Sequence, residues 1–228
     1  MRIGIIVALD KELELLKPML ENMRISESNG ISFYCGTIGN HKIAAMRCGV
    51  GKVNAAVGTV SMIDTYNPEL IINTGVAGGV NNKINVMEMV VGNKVCYHDV
   101  WCGGFDDECD YGQVQGLPLY FEGAADVIAK LPAQDDVHCG LIVSGDQFID
   151  SIEQVKAIKD LFPDAMAVDM ESGAIAQTCH LRNTPFVSMR VISDSPGAGH
   201  DNSKQYNDFW TEAPAHTLEV VKNLLQNL

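Results

Sequence analysis

The chain has 228 residues, of which 46% are hydrophobic, and a mean hydropathy of +0.05, which predicts one compact α/β domain over residues 1–228 and argues against a second large domain. Its 16 Lys and Arg against 29 Asp and Glu give a net charge of −13, so neither nucleic acid nor an anionic membrane is an expected partner. The 7 cysteines form no CxxC motif and follow no signal peptide, so we expect no disulfides and a cytoplasmic location.

Short runs rich in Val and Ile predict strands, and the helical periodicity between them predicts helices. In chain order we expect a strand at 3–8, a helix at 10–23, a strand at 42–48, a helix at 52–66, strands at 69–73, 87–95 and 139–143, a helix at 152–161, a strand at 166–169, a helix at 171–181, a strand at 185–193 and a helix at 205–228. Pro214 is expected to interrupt or kink the last helix. This alternation predicts a largely parallel sheet between two layers of helices.

Three acids, Glu12, Glu171 and Asp194, each follow a predicted buried strand. The strand ends of such sheets are where ligands bind, and an unpaired carboxylate is costly to bury unless water or a ligand reaches it. The same acids also fit structural roles, in the first turn of a helix or as the cap of a turn. The pattern alone slightly favours the structural roles.

Two glycine-rich segments do not fit known nucleotide motifs. Segment 49–52 lacks a phosphate loop, because Met46 stands where that motif needs glycine and Val53 where it needs Ser or Thr. Segment 75–79 lacks the GxGxxG spacing of a dinucleotide site. For segment 75–79, tight turns and close approach of the backbone to another group explain the glycines equally well.

One cluster contains residue types that bind metals, namely Cys96, His98, Asp99 and Cys102. Its spacing fits no closed zinc pattern and it has no second half elsewhere in the chain. We therefore expect neither a metal nor a cofactor.

Seven stretches occur in a fixed order: IGIIVALDKE, GVGKVNAA, INTGVAGG, YHD, GLIVSGDQFI, AVDMESGAIA and RVISDS. In this combination the chain resembles the bacterial 5'-methylthioadenosine/S-adenosylhomocysteine nucleosidases of the purine nucleoside phosphorylase and hydrolase superfamily. The resemblance runs from Arg2 to about the final helix. It implies an α/β fold, a three-layer α/β/α sandwich around a central mixed, partly barrel-like sheet, and a homodimer that binds a small nucleoside. It also implies hydrolysis of both nucleosides to adenine and a 5-thio-substituted ribose, in methionine salvage and methyl-cycle recycling.

The resemblance assigns a catalytic role to each of the three acids. Asp194, held by Ser193, would deliver a proton to adenine N7, which makes the base a better leaving group. Glu12 would activate the attacking water, and Glu171 would bind the ribose hydroxyls, with Arg190 ordering the water and Glu171. Nearby carboxylates would stabilise the oxocarbenium-like state that forms on the sugar.

The resemblance also implies a set of residues that surround the substrate. Phe148 would stack on adenine, and the main chain of Ile149 would bind its N1 and N6 edge. The other implied lining residues are Leu9, Val50, Val76, Ala77, Gly78, Met170 and Tyr206. Trp101 and Phe105 of a partner subunit would cover the 5' substituent, and the different make-up of segment 101–116 leaves the preferred 5' group open.

Phosphorylases of this superfamily bind phosphate with two arginines that this chain lacks. Their Gly-Asp-Pro-x-Arg turn after the first strand is replaced by ALDKE at 8–12, and their second arginine is replaced by Asn73. The guanidinium groups that suit phosphate are therefore missing, and Glu12 would repel the anion. Hydrolysis is favoured over phosphorolysis. The same fold also serves hydrolysis of futalosine or aminofutalosine, and non-catalytic binding or storage of a nucleoside.

Overall fold

A computed structural model describes residues 1–103, 109–196, 202–212 and 216–228. Within these ranges the strands are β1 (Arg2–Val7), β2 (Glu21–Ser28), β3 (Ile31–Ile38), β4 (His41–Arg47), β5 (Leu70–Gly79), β6 (Met89–Tyr97), β7 (Phe121–Glu122), β8 (Val137–Ser144), β9 (Ala165–Asp169) and β10 (Phe186–Asp194). The helices are α1 (Asp10–Leu16), α2 (Lys52–Tyr66), α3 (Ala125–Ile128), α4 (Ile152–Leu161), α5 (Ser172–Leu181), α6 (Asn202–Glu212) and α7 (His216–Asn227).

Five strands close into a barrel. β5 pairs with β10, β10 with β6, β6 with β8, β8 with β9, and β9 with β5 again. From β5 the sheet continues outward through β1, β4, β3 and β2. The mixed, partly barrel-like sheet is confirmed, whereas the expectation of a largely parallel sheet is wrong. Antiparallel pairing occurs within the barrel, at β5–β9 and β6–β10. It also occurs at β2–β3, β3–β4 and β6–β7.

The core lies on both faces of the extended sheet, because successive side chains of a strand point to opposite faces. On β1, Ile5 belongs to the cluster that packs against α1 and α7, whereas Ile6 belongs to the cluster that packs against α2 and α5. Both side chains are fully buried. This arrangement gives the three layers and leaves the carboxyl ends of the barrel strands to hold polar groups.

The predicted helix at 10–23 is too long. α1 ends at Leu16, and Pro18 lies in a single 3-10 turn (Lys17–Met19) because proline cannot continue the helical hydrogen bonds. The chain then forms the β2–β3 hairpin, which was not predicted because most of β2 is exposed and lacks apolar alternation. Its Asn29-Gly30 turn has φ of 52° and 76°, the two-residue signal that would have identified it.

Two further boundaries differ from the prediction. β5 runs on to Gly79, through glycines that were expected to form a loop, because they pair with β10 and β9. The helix predicted at 205–228 begins earlier and is described as two helices, α6 and α7, with Pro214 outside the described residues. None of the helices described is long and apolar enough to cross a membrane.

Candidate active site

A cavity of about 420 Å³ opens at the carboxyl ends of β1, β5, β9 and β10. This volume is within the usual range for small-molecule sites. All the predicted catalytic and substrate-binding residues of a single chain line it: Leu9, Glu12, Val50, Val76, Ala77, Gly78, Phe148, Ile149, Met170, Glu171, Arg190, Ser193, Asp194 and Tyr206. Five lining residues were not predicted: Ala8, Gln147, Val168, Asp169 and Asn207.

Glu12 is held in one orientation by backbone amides. Its Oε2 accepts hydrogen bonds from Ala8 and Leu9, each at 2.9 Å, and its Oε1 accepts from Val76 at 3.1 Å. Burial raises the pKa of Glu12, while the charge of Arg190 and these three amides lower it. Oε1 keeps a free acceptor site for a further donor in the cavity, such as water, whereas both acceptor sites of Oε2 are used.

Arg190 lies at the centre of a buried polar network. Its Nη2 is 2.5 Å from Oδ2 of Asp169 and donates to Oδ1 of Asn73 at 2.6 Å. Glu171 is farther away, with 3.8 Å between Arg190 Nη2 and Oε2. The closest carboxylate to Arg190 is therefore Asp169, and Glu171 is the next. Because Arg190 and Asp169 are both almost fully buried, each compensates the other's charge.

Position 75 of β5 requires glycine because two charged side chains lie against the backbone there. A Cβ atom at this position would lie 2.5 Å from Glu12 Oε1 and 2.6 Å from Arg190 Nη1. Both distances are shorter than any side-chain contact allows. The group that crowds this glycine is thus the protein's own pair of charged side chains.

Glu171 lies at the N-terminus of α5 and faces the cavity. Its Oε1 accepts a hydrogen bond from the Gly51 amide at 2.9 Å. Burial, with the negative charge of Asp169, raises the pKa of Glu171 to about 7, although Arg190 and the Gly51 amide oppose this. The side chain that caps α5 is Asp169, whose oxygens accept from the Ser172 amide at 3.1 and 3.2 Å. Glu171 is therefore not used as the helix cap.

Asp194 ends β10 next to an irregularity in the pairing with β5. Its Oδ1 accepts from the Ser193 hydroxyl at 2.6 Å, while its buried Oδ2 has no hydrogen-bond partner among the described residues. Burial raises the pKa of Asp194, and the Ser193 hydrogen bond lowers it. An uncompensated carboxyl oxygen beside an open cavity is suited to hold a proton and donate it to a ligand.

Aromatic side chains line another part of the cavity. Phe148 and Tyr206 meet edge to face, with ring centroids 6.2 Å apart, and Phe148 is 48% exposed. Ile149 is buried beside it. A half-exposed ring next to an apolar wall offers a planar ligand a stacking surface.

Trp101, one of the two residues predicted to reach a neighbouring subunit, does not line this cavity. Trp101 stacks on Tyr111 at 5.5 Å between ring centroids and is 61% exposed. Phe105 lies outside the described residues. The four residues considered as metal ligands do not converge, since no group of three His, Cys, Asp or Glu side chains in the described ranges is arranged to hold a metal.

The sequence missed the residues that support the charged groups, namely Asn73, Asp169, Ser172 and Ser188. In the sequence, Asn73 stands out only as a missing arginine. Asp169 stands at a strand end in AVDMES, two residues before Glu171, and an acid at that position was the available signal.

Comparison with known proteins agrees with this geometry. Residues 2–226 match the family model of the phosphorylase superfamily. The 5'-methylthioadenosine/S-adenosylhomocysteine nucleosidase of Staphylococcus aureus is 38% identical over 231 residues, which cover 99% of this chain and 100% of the relative. The chain belongs to this nucleosidase family.

Solved structures of the nucleosidase family have the same fold. The Streptococcus pneumoniae nucleosidase, with the transition-state inhibitor MT-ImmA, has a TM-score of 0.94 and 34% identity, covering 100% of this chain and 99% of that one. The Neisseria meningitidis nucleosidase, in complex with methylthio-immucillin-A, has a TM-score of 0.93 and 35% identity, with coverage of 100% and 99%. The fold and the family that the sequence motifs implied are both confirmed.

Proposed function

We propose that this protein hydrolyses the N-glycosidic bond of 5'-methylthioadenosine and S-adenosylhomocysteine, releasing adenine and a 5-thio-substituted ribose. The observation that carries the proposal is the grouping of three buried carboxyl groups, those of Glu12, Glu171 and Asp194, around one cavity in a member of the nucleosidase family. Desolvation raises the pKa of each carboxyl group, and carboxyl groups with raised pKa values are suited to acid and base catalysis near neutral pH.

Asp194 acts as the general acid. The adenine anion is a poor leaving group, so protonation at N7 while the C1'–N9 bond stretches lowers the barrier. The unpartnered Oδ2 presents the proton to the base, and the Ser193 hydroxyl fixes the other oxygen. Phe148 stacks on the adenine ring, and the backbone of Ile149 binds its polar edge.

Glu12 and Glu171 act on the sugar. Glu171 accepts hydrogen bonds from the ribose hydroxyls, and Glu12 binds the water that attacks C1' and accepts its proton. As the glycosidic bond breaks, positive charge develops on the ribose, and both carboxylates stabilise it electrostatically. The amides that fix Glu12 reduce the reorganisation this requires.

Water is a better nucleophile for this site than phosphate. Arg190 is the sole Lys or Arg among the described residues that line the cavity, and Asp169 and Asn73 already occupy its Nη2. Glu12 and Glu171 would repel an anion approaching the same position. Phosphate binding normally requires guanidinium groups that are free to form paired hydrogen bonds.

A homodimer would complete the site. The exposed Trp101 does not line the cavity of its own chain, which supports a role in covering the 5' substituent of a neighbouring subunit, together with Phe105. The seven cysteines, all within the described residues, are free thiols, which is consistent with work in a reducing cytoplasm.

Incubation of the purified protein with methylthioadenosine, S-adenosylhomocysteine, inosine and aminofutalosine tests the proposal, with the released bases separated by chromatography. We expect adenine from the first two nucleosides and no hypoxanthine from inosine. Binding of these nucleosides without release of a base would instead indicate a storage protein, and turnover of aminofutalosine alone would reassign the substrate.

A further inference from the structure

The loop 49–52, which joins β4 to α2, connects the cavity to a cluster of charged residues outside it. Val50 lines the cavity. Gly51 has φ of +93°, a conformation that glycine adopts without steric cost, and its amide donates to Glu171 Oε1 at 2.9 Å. The next amide, that of Lys52, donates to Asp146 Oδ1 at 2.8 Å. Two successive amides of this loop therefore bind carboxylates that follow two different strands.

The side chain of Lys52 fixes the loop from the other side. Its ammonium lies 3.0 and 2.9 Å from the two oxygens of Asp99, and 3.8 Å from Asp146 Oδ2. Asp99 Oδ2 also accepts from the Asp146 amide at 2.8 Å. Lys52, Asp99 and Asp146, here called the Lys52 cluster, thus join the start of α2 to the loops after β6 and β8.

The Lys52 cluster differs from the ion pairs on the open surface. The side chains of Lys52 and Asp99 are 24% and 14% exposed, whereas those of Lys94 and Glu122 are 48% and 66% exposed, with 3.8 Å between charged atoms. Water screens the Lys52–Asp99 pair less than the Lys94–Glu122 pair, so the Lys52–Asp99 pair restrains the backbone more strongly. The cluster also lies close to the base-binding side chains, because Asp146 immediately precedes Gln147 and Phe148, which line the cavity.

We propose that the Lys52 cluster positions Glu171: it holds the loop 49–52 so that the Gly51 amide points at the carboxylate that binds the ribose. No member of the cluster lines the cavity, so the cluster acts through the backbone of Gly51. The ribose-binding role of Glu171 rests on the proposed function, whereas the contacts themselves do not.

Charge alone and positioning predict opposite effects at Asp99. The Gly51 amide stabilises the ionised form of Glu171, so release of the loop raises the pKa of Glu171 further. Removal of the negative charge of Asp99 without movement of the loop would lower that pKa instead. The other charged or titratable groups around Glu171 remain in both cases, and they are Glu12, Cys48, Asp169, Arg190 and Tyr206.

The test is a ¹³C NMR titration of the Glu171 carboxyl in the full-length protein labelled at glutamate, with the signal assigned by Glu171→Gln. We expect Lys52→Met and Asp99→Ala each to raise the pKa of Glu171 by roughly half a unit to one unit. The KM for methylthioadenosine should rise roughly tenfold, with a smaller change in kcat, as expected for the loss of one hydrogen bond to a charged group.

Two variants serve as controls. Lys52→Arg keeps the charge and the hydrogen bonds, so it should retain the wild-type pKa and KM. Lys94→Met removes a surface lysine that does not line the cavity and should change neither. Thermal unfolding followed by circular dichroism shows whether each variant is folded.

A pKa of Glu171 that falls or stays constant in folded Asp99→Ala would overturn the inference. So would failure of this variant to fold, because the Lys52 cluster would then be a structural requirement of the fold. The titration needs no substrate. If wild-type protein released no adenine, the proposed function would fail, while the NMR result would still decide whether the Lys52 cluster positions Glu171.

Discussion

Replacement of Asp194 by Asn separates proton donation from the other properties of the side chain. Asn has nearly the same size, and its oxygen still accepts the hydrogen bond that Ser193 donates to Oδ1 at 2.6 Å. In place of the unpartnered Oδ2 it carries an amide, which forms a hydrogen bond with adenine N7 but transfers no proton. The variant therefore removes the general acid and keeps the shape of the site.

The expected loss of kcat is on the order of 10²-fold or more, the usual contribution of a general acid. This corresponds to about 2.7 kcal/mol in the activation free energy. Folding should not suffer. Because the pKa of Asp194 is raised in the folded state, its contribution to stability is present at low pH and is lost as the pH rises through the folded-state value. Asn carries no charge, so the variant should be at least as stable at neutral pH.

Adenine release from methylthioadenosine, followed by chromatography at saturating substrate, gives kcat for both proteins, and thermal melting gives their stability. Asp160→Asn, an exposed position on α4, is the matched control and should behave as wild type. Near wild-type kcat in Asp194→Asn would show that Asp194 is not the general acid. A large drop in melting temperature would show that the carboxyl group has a structural role instead.

Three further predictions concern the groups around the sugar. In Gly75→Ala, the new methyl group displaces Glu12 and Arg190, and kcat/KM should fall on the order of 10²-fold; wild-type activity would contradict the crowding at β5. Asp169→Asn leaves the buried Arg190 without its closest counter-charge, so chemical denaturation should show a loss of roughly 3 kcal/mol, and an unchanged unfolding free energy would refute this pairing. Protonation of Glu171 removes an acceptor for the ribose hydroxyls, so kcat/KM should fall as the pH drops through about 7; a profile flat from pH 8 to about 5 would exclude an essential ionised Glu171.

Elements with a strong local pattern were predictable from the sequence. α2 and α4 were predicted with the bounds that they have. The barrel strands β6, β8, β9 and β10 were predicted to within two residues, whereas β5 runs on beyond its predicted end to Gly79. The β2–β3 hairpin was missed because β2 is exposed along most of its length and lacks an apolar face. Closure of the barrel was implied by the family resemblance alone, because the pairing of β5 with β9 joins segments about ninety residues apart in the chain.

In the candidate site, too, local pattern predicted some features, whereas contacts between distant segments were not predictable. Pattern alone gave Glu12 two roles, as a first-turn helix acid or as a site residue, and the structure shows that these coincide. Its Oε2 accepts from the Leu9 amide just before α1 while the side chain lines the cavity. The pairing of Arg190 with Asp169 was not predictable, since it joins the middle of β10 to the end of β9, two strands that both pair with β5, and it leaves no mark in the local sequence.

In the proposed mechanism water, and not phosphate, attacks the sugar. The most direct measurement is the rate of adenine release from methylthioadenosine in phosphate-free buffer and again with added phosphate, with both sugar products identified by mass spectrometry. We expect the same rate in both buffers and a free 5-thio-substituted ribose as the sugar product. Strict dependence on added phosphate, or a ribose 1-phosphate product, would contradict it.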